Sequence, residues 1–193
     1  MCTEKSYRNT VEIANFASDI LAHGEFPGYG AEPVIRHGEA VGIRQTAGRD
    51  LYREAAKICK GWQTDGFDTI AVICRDQKQA QETAELLQKE LPVMPWDPEK
   101  ASFEKGIMVF PVEYTKGLEF DAVLLLSPDR ESYPTDDGHA KLLYVAATRA
   151  LHRLEVLHTG NLTGLIADPI PKKNKKRVSG AKKKVVIVQN PSG

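Results

Sequence analysis

The sequence has little of what membrane, secreted and metal-binding proteins need. None of its apolar runs approaches the roughly 18 residues that would cross a bilayer. No charged-then-apolar leader precedes Tyr7, so we expect a cytoplasmic protein without membrane contact. Its three cysteines are odd in number and lack metal-ligand spacing, which predicts reduced thiols and no metal site. The five histidines likewise form no pair of the HExxH kind.

The sequence also lacks a phosphate-binding loop. The pattern G-x-x-x-x-G-K-[ST] occurs nowhere, and no predicted strand ends in the paired acids of a Walker B site. The glycine pair Gly28 and Gly30 follows no predicted strand and is too weak to be a nucleotide fingerprint. A self-sufficient nucleotide-binding enzyme is therefore disfavoured, although a nucleotide bound to the isolated protein would restore that interpretation.

The whole chain has no net charge, but its parts do. Basic and acidic residues balance at 26 each, yet eight of the bases lie between Lys172 and Lys184, where no acid occurs. The other residues carry 18 bases and 26 acids, so any nucleic-acid contact there must be local. We expect a folded domain over 1–168 and a basic, disordered tail over 169–193. The role of the tail is open between nucleic-acid binding and a solvated linker.

The hydrophobic pattern predicts an α/β fold, because short apolar runs alternate with amphipathic helices. We expect a mainly parallel sheet, covered by helices on both faces. Its strands are predicted at 69–74, 107–112, 121–126 and 154–157. Helical periods lie at 11–21, 49–63, 77–91 and 142–150. Asn9 is the expected N-cap of the first helix, with Glu12 as its partner three residues on.

The connections give weaker signals. Segments 34–36 and 40–45 can pair as a hairpin, 127–138 is predicted to be a solvated loop, and 161–166 can form a last short helix. Arg75 and Gln77 follow a predicted strand at its carboxyl end, where α/β folds place ligands. They are candidates for contacts with nucleic acid or another domain, and a plain surface role is equally open.

One stretch, 107–157, carries the candidate chemistry. The turn Thr115-Lys116-Gly117 lies between two predicted strands, next to Glu119, and Arg149 stands at the end of the helix that follows. Glycine lets a ligand approach the backbone, a carboxylate can bind ribose hydroxyls, and a guanidinium suits the charge on a transferring phosphate. A βαβ core with solvated charges would contain the same residues, so these short patterns leave both interpretations open.

Longer motif matches favour nucleotide chemistry. T-K-G-L-E-F-D-A-V at 115–123 and Y-V-A-A-T-R-A at 144–150 resemble motifs V and VI of the UvrD/Rep/PcrA-like superfamily 1 helicases. S-Y-R-N-T at 6–10 resembles motif IV, and the three occur in the family's order. The resemblance covers about residues 3–166. Within the superfamily, the chain resembles most the HelD-type ATPases, which associate with bacterial RNA polymerase. The resemblance implies a three-layer RecA-like domain that lacks the P-loop and is the second half of a two-half DNA helicase or translocase motor.

The resemblance also implies roles for five residues. In the family's second half, Tyr7 would stack on adenine and Arg8 would reach the γ-phosphate. Gly117 would lie close to that phosphate, Glu119 would hold the ribose, and Arg149 would be the catalytic arginine finger. The implied cofactor is ATP with Mg²⁺, the metal being held by the N-terminal RecA-like half of the same helicase. Since that half supplies the phosphate cradle, we expect no ATP hydrolysis by the isolated chain.

The sequence departs from the family at one point. The family's Thr-x-His, whose side chains contact the DNA strand, is replaced by Pro111 and Glu113. Proline has no N–H to donate and a glutamate repels phosphate, so stepping along DNA would need other groups. The alternative function is a non-catalytic interaction module of the same fold that binds RNA polymerase or a nuclease subunit. Convergence of the side chains at 7, 8, 119 and 149 on one rim would favour the motor half.

Overall fold

The protein is a parallel sheet with helices on both faces. The structure, a computed structural model, describes residues 9–24, 36–95 and 105–166. Its strands are β1 Gly42–Gln45, β2 Thr69–Cys74, β3 Met94–Pro95, β4 Gly106–Pro111, β5 Phe120–Leu126 and β6 Ala150–His158. Its helices are α1 Val11–His23, α2 Leu51–Thr64, α3 Gln77–Leu87 and α4 Asp137–Ala147. The six strands form one sheet in the order β1-β6-β5-β2-β4-β3, and each pair of neighbours is parallel.

The sheet separates two hydrophobic clusters, because successive side chains of a strand point to opposite faces. In β2, Ala71 and Ile73 pack with α1 and α4, whereas Ile70, Val72 and Cys74 pack with α2 and α3. All five are at most 2% exposed. The continuous apolar runs are therefore buried on both faces, and the predicted three-layer α/β fold with a parallel sheet is confirmed.

Several predicted elements differ from the structure, beginning with the first helix cap, the end of the last helix and the hairpin. Asn9 is not the N-cap of α1; Thr10 is, and its hydroxyl accepts a hydrogen bond from the Ile13 N–H. Ala150 does not belong to α4 but opens β6, because it pairs with Phe120 of β5. The segment 40–45 contributes β1, which pairs in parallel with β6 instead of forming a hairpin. Most of the first hairpin arm, 34–36, lies outside the described residues.

The segment 127–138 is not simply a solvated loop. Tyr133 within it is 3% exposed, and its carbonyl accepts a 2.6 Å hydrogen bond from the Thr163 hydroxyl. Asp129 forms an isolated bridge with Leu162. These cross-links also explain why 161–166 forms no helix: its main chain bonds to the earlier segment, as in the 2.9 Å bond from Thr163 N to the Pro128 carbonyl.

The described cysteines are buried free thiols. Cys59 and Cys74 each face the cluster beneath α2 and α3, and burial raises the pKa of both thiols to about 12. Cys2 and the basic tail lie outside the described residues. In the part of the chain that the structure describes, no helix is long and apolar enough to span a membrane.

Candidate nucleotide site at the amino edge of the sheet

Two of the predicted site residues lie where neighbouring strands begin. Glu119 immediately precedes Phe120, the first residue of β5, and Arg149 immediately precedes Ala150, the first residue of β6. Phe120 and Ala150 are register partners, and the Phe120 N–H donates to the Arg149 carbonyl at 2.9 Å. We call this end of the sheet the amino edge. The pairing of β5 with β6 brings Glu119 and Arg149 together at this edge, although a loop and a helix separate them in the chain.

A β-bulge shapes this pairing. Phe120 pairs with Ala150, but Ala122 pairs with Arg153, so β6 contains one residue more than β5 over this interval. An extra residue of this kind bends a strand and re-aims its side chains. The position of Arg149 relative to Glu119 therefore depends on the bulge as well as on the strand register.

The turn before β5 has the geometry that its glycine suggests. The Leu118 N–H donates to the Thr115 carbonyl at 3.0 Å, and Gly117 has φ +81°. Positive φ at the third turn position favours glycine and is typical of a type II turn. Lys116 and Gly117 are exposed, and no atom lies within 4 Å of where a Cβ on Gly117 would be. The backbone there is thus open to a ligand.

The turn lies between two strands, as predicted, but it does not follow β4 directly. β4 ends at Pro111, and a 3₁₀ turn, Val112–Tyr114, intervenes before Thr115. The Thr115 hydroxyl donates to the Val112 carbonyl at 2.7 Å and is fully buried. This anchor fixes the turn as it leads from the 3₁₀ segment to the amino edge.

Arg149 is half-buried between the end of α4 and the turn. Its Nε donates to the Val145 carbonyl at 3.0 Å, Nη1 to the Leu118 carbonyl at 3.1 Å, and Nη2 to the Thr148 hydroxyl at 3.3 Å. These bonds use three of the five guanidinium N–H groups. Burial lowers the pKa of Arg149, while the negative charge of Glu119 acts to raise it. The guanidinium stays charged, because its ordinary pKa lies far above neutrality.

The start of α1 joins the same edge. The Asn9 side-chain amide donates to the Thr148 carbonyl at 2.9 Å and to the Ala150 carbonyl at 2.6 Å. Sequence reasoning assigned Asn9 to capping and missed these contacts, because acceptors about 140 residues away leave no spacing signal. Tyr7 and Arg8 lie outside the described residues, so their convergence on this edge stays a prediction.

Residues 36–38 fold over the first turn of α1. The Glu12 carboxylate accepts from the Gly38 N–H at 2.7 Å and lies 3.0 Å from His37 Nδ1. These bonds, the Gly38 N–H above all, lower the pKa of Glu12 to about 2. Arg36 donates from Nη2 to the Leu151 carbonyl at 2.6 Å. This brings a second guanidinium close to the start of β6, which the sequence pattern did not indicate.

The family's DNA-contacting positions are unsuited to phosphate. Pro111 is buried as the last residue of β4, and Glu113 is exposed in the 3₁₀ turn. An exposed carboxylate repels a phosphate. That stepping along DNA would need other groups stays a prediction.

Arg75 serves the fold at the opposite, carboxyl edge of the sheet. Its Nε donates to the Ser132 carbonyl at 2.9 Å, Nη2 lies 3.4 Å from His139 Nε2, and the guanidinium lies 5.6 Å from the centre of the Tyr133 ring. Gln77 is exposed as the first residue of α3.

Among the described residues, no group of three or more histidine, cysteine or acidic side chains could hold a metal ion.

Comparison with known families connects this geometry to a protein class. Residues 106–157 match the family model of the UvrD-like helicase C-terminal domain. The match contains the turn, Glu119 and Arg149. The chain carries a UvrD-like helicase C-terminal domain.

Solved structures extend the likeness beyond the matched residues. The UvrD-like domain is similar to the crystal structure of the C-terminal domain of a possible DNA helicase from Lactobacillus plantarum WCFS1. The two are 26% identical with a TM-score of 0.69, over 84% of this chain and 92% of that one. A chain from studies of the yeast class II Hda1 HDAC complex aligns at 14% identity over 78% of this chain and 66% of that one. Its TM-score of 0.30 is too low to support any inference. No curated protein matches the chain.

Proposed function

We propose that the UvrD-like domain is the second motor half of an ATP-dependent superfamily 1 DNA helicase or translocase and is inactive alone. The observation that carries the proposal is the placement of Glu119 and Arg149 at the starts of paired strands, linked by the bond from Arg149 to the Leu118 carbonyl. A carboxylate and a guanidinium so placed fit the ribose and the phosphates of one nucleotide.

Arg149 would stabilise the negative charge of the transferring phosphoryl group. Its three hydrogen bonds within the described residues go to two carbonyls and a hydroxyl, so none of these acceptors carries a formal charge, and Glu119 is the carboxylate that acts on it. Two of its N–H groups lie outside these bonds, and partial burial strengthens its attraction for an anion. An arginine finger of this kind contributes about 10³–10⁵ in rate.

The remaining proposed roles surround Arg149. Glu119 would accept hydrogen bonds from ribose hydroxyls, and the open backbone at Gly117 would allow a phosphate to approach. Tyr7 would stack on the base and Arg8 would reach the γ-phosphate. These two roles are supported by Asn9, the next residue in the chain, whose amide bonds on both sides of Arg149.

The proposal requires a second protein half. ATP supplies the phosphoryl group, and its Mg²⁺ would be held by the N-terminal RecA-like half, as the resemblance of the motifs implies. Binding across the cleft would let Arg149 and Arg8 sense the γ-phosphate and draw the halves together. DNA is the proposed track, held by groups other than Pro111 and Glu113.

The test is ATP turnover by the chain alone and by the chain joined to the N-terminal half of the same helicase, with and without single-stranded DNA. We expect none from the chain alone and steady turnover from the joined halves. Arg149→Ala should lower that turnover by about 10³ or more, whereas Arg49→Ala, at a side chain that is 88% exposed, should not. Turnover by the chain alone that is lost in Arg149→Ala would contradict the need for a second half.

The interaction-module hypothesis makes the opposite prediction. Joined halves that never turn over ATP, but bind RNA polymerase or a nuclease subunit, would favour it and remove the motor proposal. The HelD-type subgroup is part of the same open question, because an RNA polymerase partner is its distinguishing property.

A further inference from the structure

The Asn9 amide occupies an unusual position. It donates to the carbonyls of Thr148 and Ala150, the residues on either side of Arg149, at 2.9 and 2.6 Å. The Arg149 carbonyl itself accepts from the Phe120 N–H on the side of β5. The main chain around Arg149 is thus held from two directions, by β5 on one side and by the start of α1 on the other.

Neither carbonyl has a regular secondary-structure partner in the described residues. Thr148 follows the last turn of α4, where carbonyls lack intrahelical donors. Ala150 opens β6, but β1 pairs with β6 only from Glu155 onward. The amide of Asn9 therefore supplies the donors that neither the helix nor the edge strand provides.

We infer that Asn9 is a positioning residue for Arg149, an inference that rests on the proposed function. The Arg149 guanidinium reaches the Val145 and Leu118 carbonyls from a main-chain position set by the adjoining residues. Releasing the carbonyls at Thr148 and Ala150 would let that main chain shift. A shift of about 1 Å at a catalytic group can lower a rate by about 10²-fold.

The chemistry requires a short, neutral amide. Asparagine provides two N–H donors from one atom, whereas serine provides one and aspartate provides none. Asn9→Asp keeps the shape but places one carboxylate oxygen where the amide nitrogen stood, so both carbonyl oxygens lose their donor and face a negative charge. Asn9→Ser keeps one donor and should fall between Asn9→Asp and the parent chain.

The first test needs no ATP. In the isolated chain, NMR should show slow solvent exchange of the Arg149 Nε–H, because it bonds to the Val145 carbonyl. We expect Asn9→Asp to speed this exchange by about tenfold or more. Asn15→Asp makes the same change at an exposed position of α1 and should leave it unaltered. Unaltered exchange in folded Asn9→Asp would overturn the inference.

The second test is a double-mutant cycle in the joined halves. Asn9→Ala should lower kcat by about 10- to 100-fold with little change in the KM for ATP. In the Arg149→Ala background it should lower kcat no further, because the group that Asn9 positions is gone. An equal factor in both backgrounds would indicate a general loss of stability and overturn the inference, as would unchanged kcat in Asn9→Ala.

The two tests also separate this inference from the proposed function. If Arg149→Ala leaves turnover intact, the proposed function fails, and the NMR exchange result alone decides whether Asn9 positions Arg149. If Arg149→Ala abolishes turnover while Asn9→Ala does not, only the positioning role fails. Thermal unfolding of each variant confirms that it is folded at the assay temperature.

Discussion

Arg149 at the amino edge and Arg75 at the carboxyl edge both donate to main-chain carbonyls, yet their surroundings differ. Arg75 lies over the Tyr133 ring and beside His139, whose other ring nitrogen lies 2.7 Å from Asp136. A π-face, an imidazole nitrogen and, beyond the imidazole, the Asp136 carboxylate thus surround its positive charge within the domain. Among the described residues, Arg149 donates its hydrogen bonds only to neutral acceptors, and burial lowers its pKa more than the charge of Glu119 raises it.

This difference separates a structural arginine from a candidate catalytic one. The number of hydrogen bonds does not distinguish them, but the charge and polarisability of the partners do. The edge of the sheet at which each arginine lies is also informative, because open α/β sheets usually bind ligands at the carboxyl ends of their strands. Here the carboxyl-edge arginine is committed to the fold, and two residues marked by the helicase motifs, Glu119 and Arg149, lie at the amino ends.

The largest expected effect is on catalysis. In the joined halves, Arg149→Ala should lower ATP turnover by about 10³-fold or more. Arg75→Ala should leave turnover close to that of the parent protein while lowering the thermal midpoint, because it leaves the Ser132 carbonyl without its donor. The comparison fails if Arg75→Ala abolishes turnover in a protein that is still fully folded.

A medium effect, on stability, is expected from replacing the glycine that has positive φ. Gly117→Ala forces a side chain into positive φ and should lower the free energy of unfolding by about 1–2 kcal/mol. Gly160, beyond the carboxyl end of β6, has no positive φ and open space around its Cβ position. Gly160→Ala should therefore be nearly neutral in urea denaturation. Equal losses from the two variants would show that the turn is not conformationally special.

The smallest effect is on the pH dependence of stability. Both edges carry a carboxylate beside a main-chain N–H and a histidine: Glu12, whose pKa falls to about 2, and Asp136, whose pKa is lowered chiefly by the His139 N–H. A lowered folded-state pKa gives stability that is complete above the unfolded value, near 4, and lost as pH falls toward the folded value.

We therefore expect the thermal midpoint of the parent chain to decline as the pH falls from about 5 to about 2. Glu12→Gln and Asp136→Asn should each make that decline shallower, because neither amide titrates. A curve for either variant that runs parallel to the parent curve would show that its carboxylate does not contribute. The two variants thus rank the edges by their dependence on charge.

The sequence allowed the architecture to be predicted because burial on both faces leaves a clear pattern. T-I-A-V-I-C at 69–74 forms β2 with the predicted bounds. Arg149 and Glu119 could be selected because motif matches place them in one family. The closeness of Glu119 to Arg149, in contrast, arises from strand pairing, which a local pattern does not encode.

The missed features all depend on contacts between distant segments. β1 looked like a hairpin arm because its partner, β6, lies more than 100 residues further on. Asn9 looked like a cap because Asn and Thr are both good N-caps, and only tertiary contacts select Thr10. The segment 127–138 looked solvated because it is rich in acidic residues, and its pattern gives no sign that Tyr133 is buried.

The extra residue in β6 has a consequence for how such a domain can change over time. Deleting one residue from Leu151–His152 would restore an even ladder with β5 while keeping the same hydrophobic strand. Because Phe120 would still pair with Ala150 and Ala122 with Arg153, the deletion would remove the local bend of β6 and leave both pairs in place. A single-codon deletion is thus a route by which descendants of such a domain would re-aim the side chain that precedes β6, Arg149, without any change in the order of the strands.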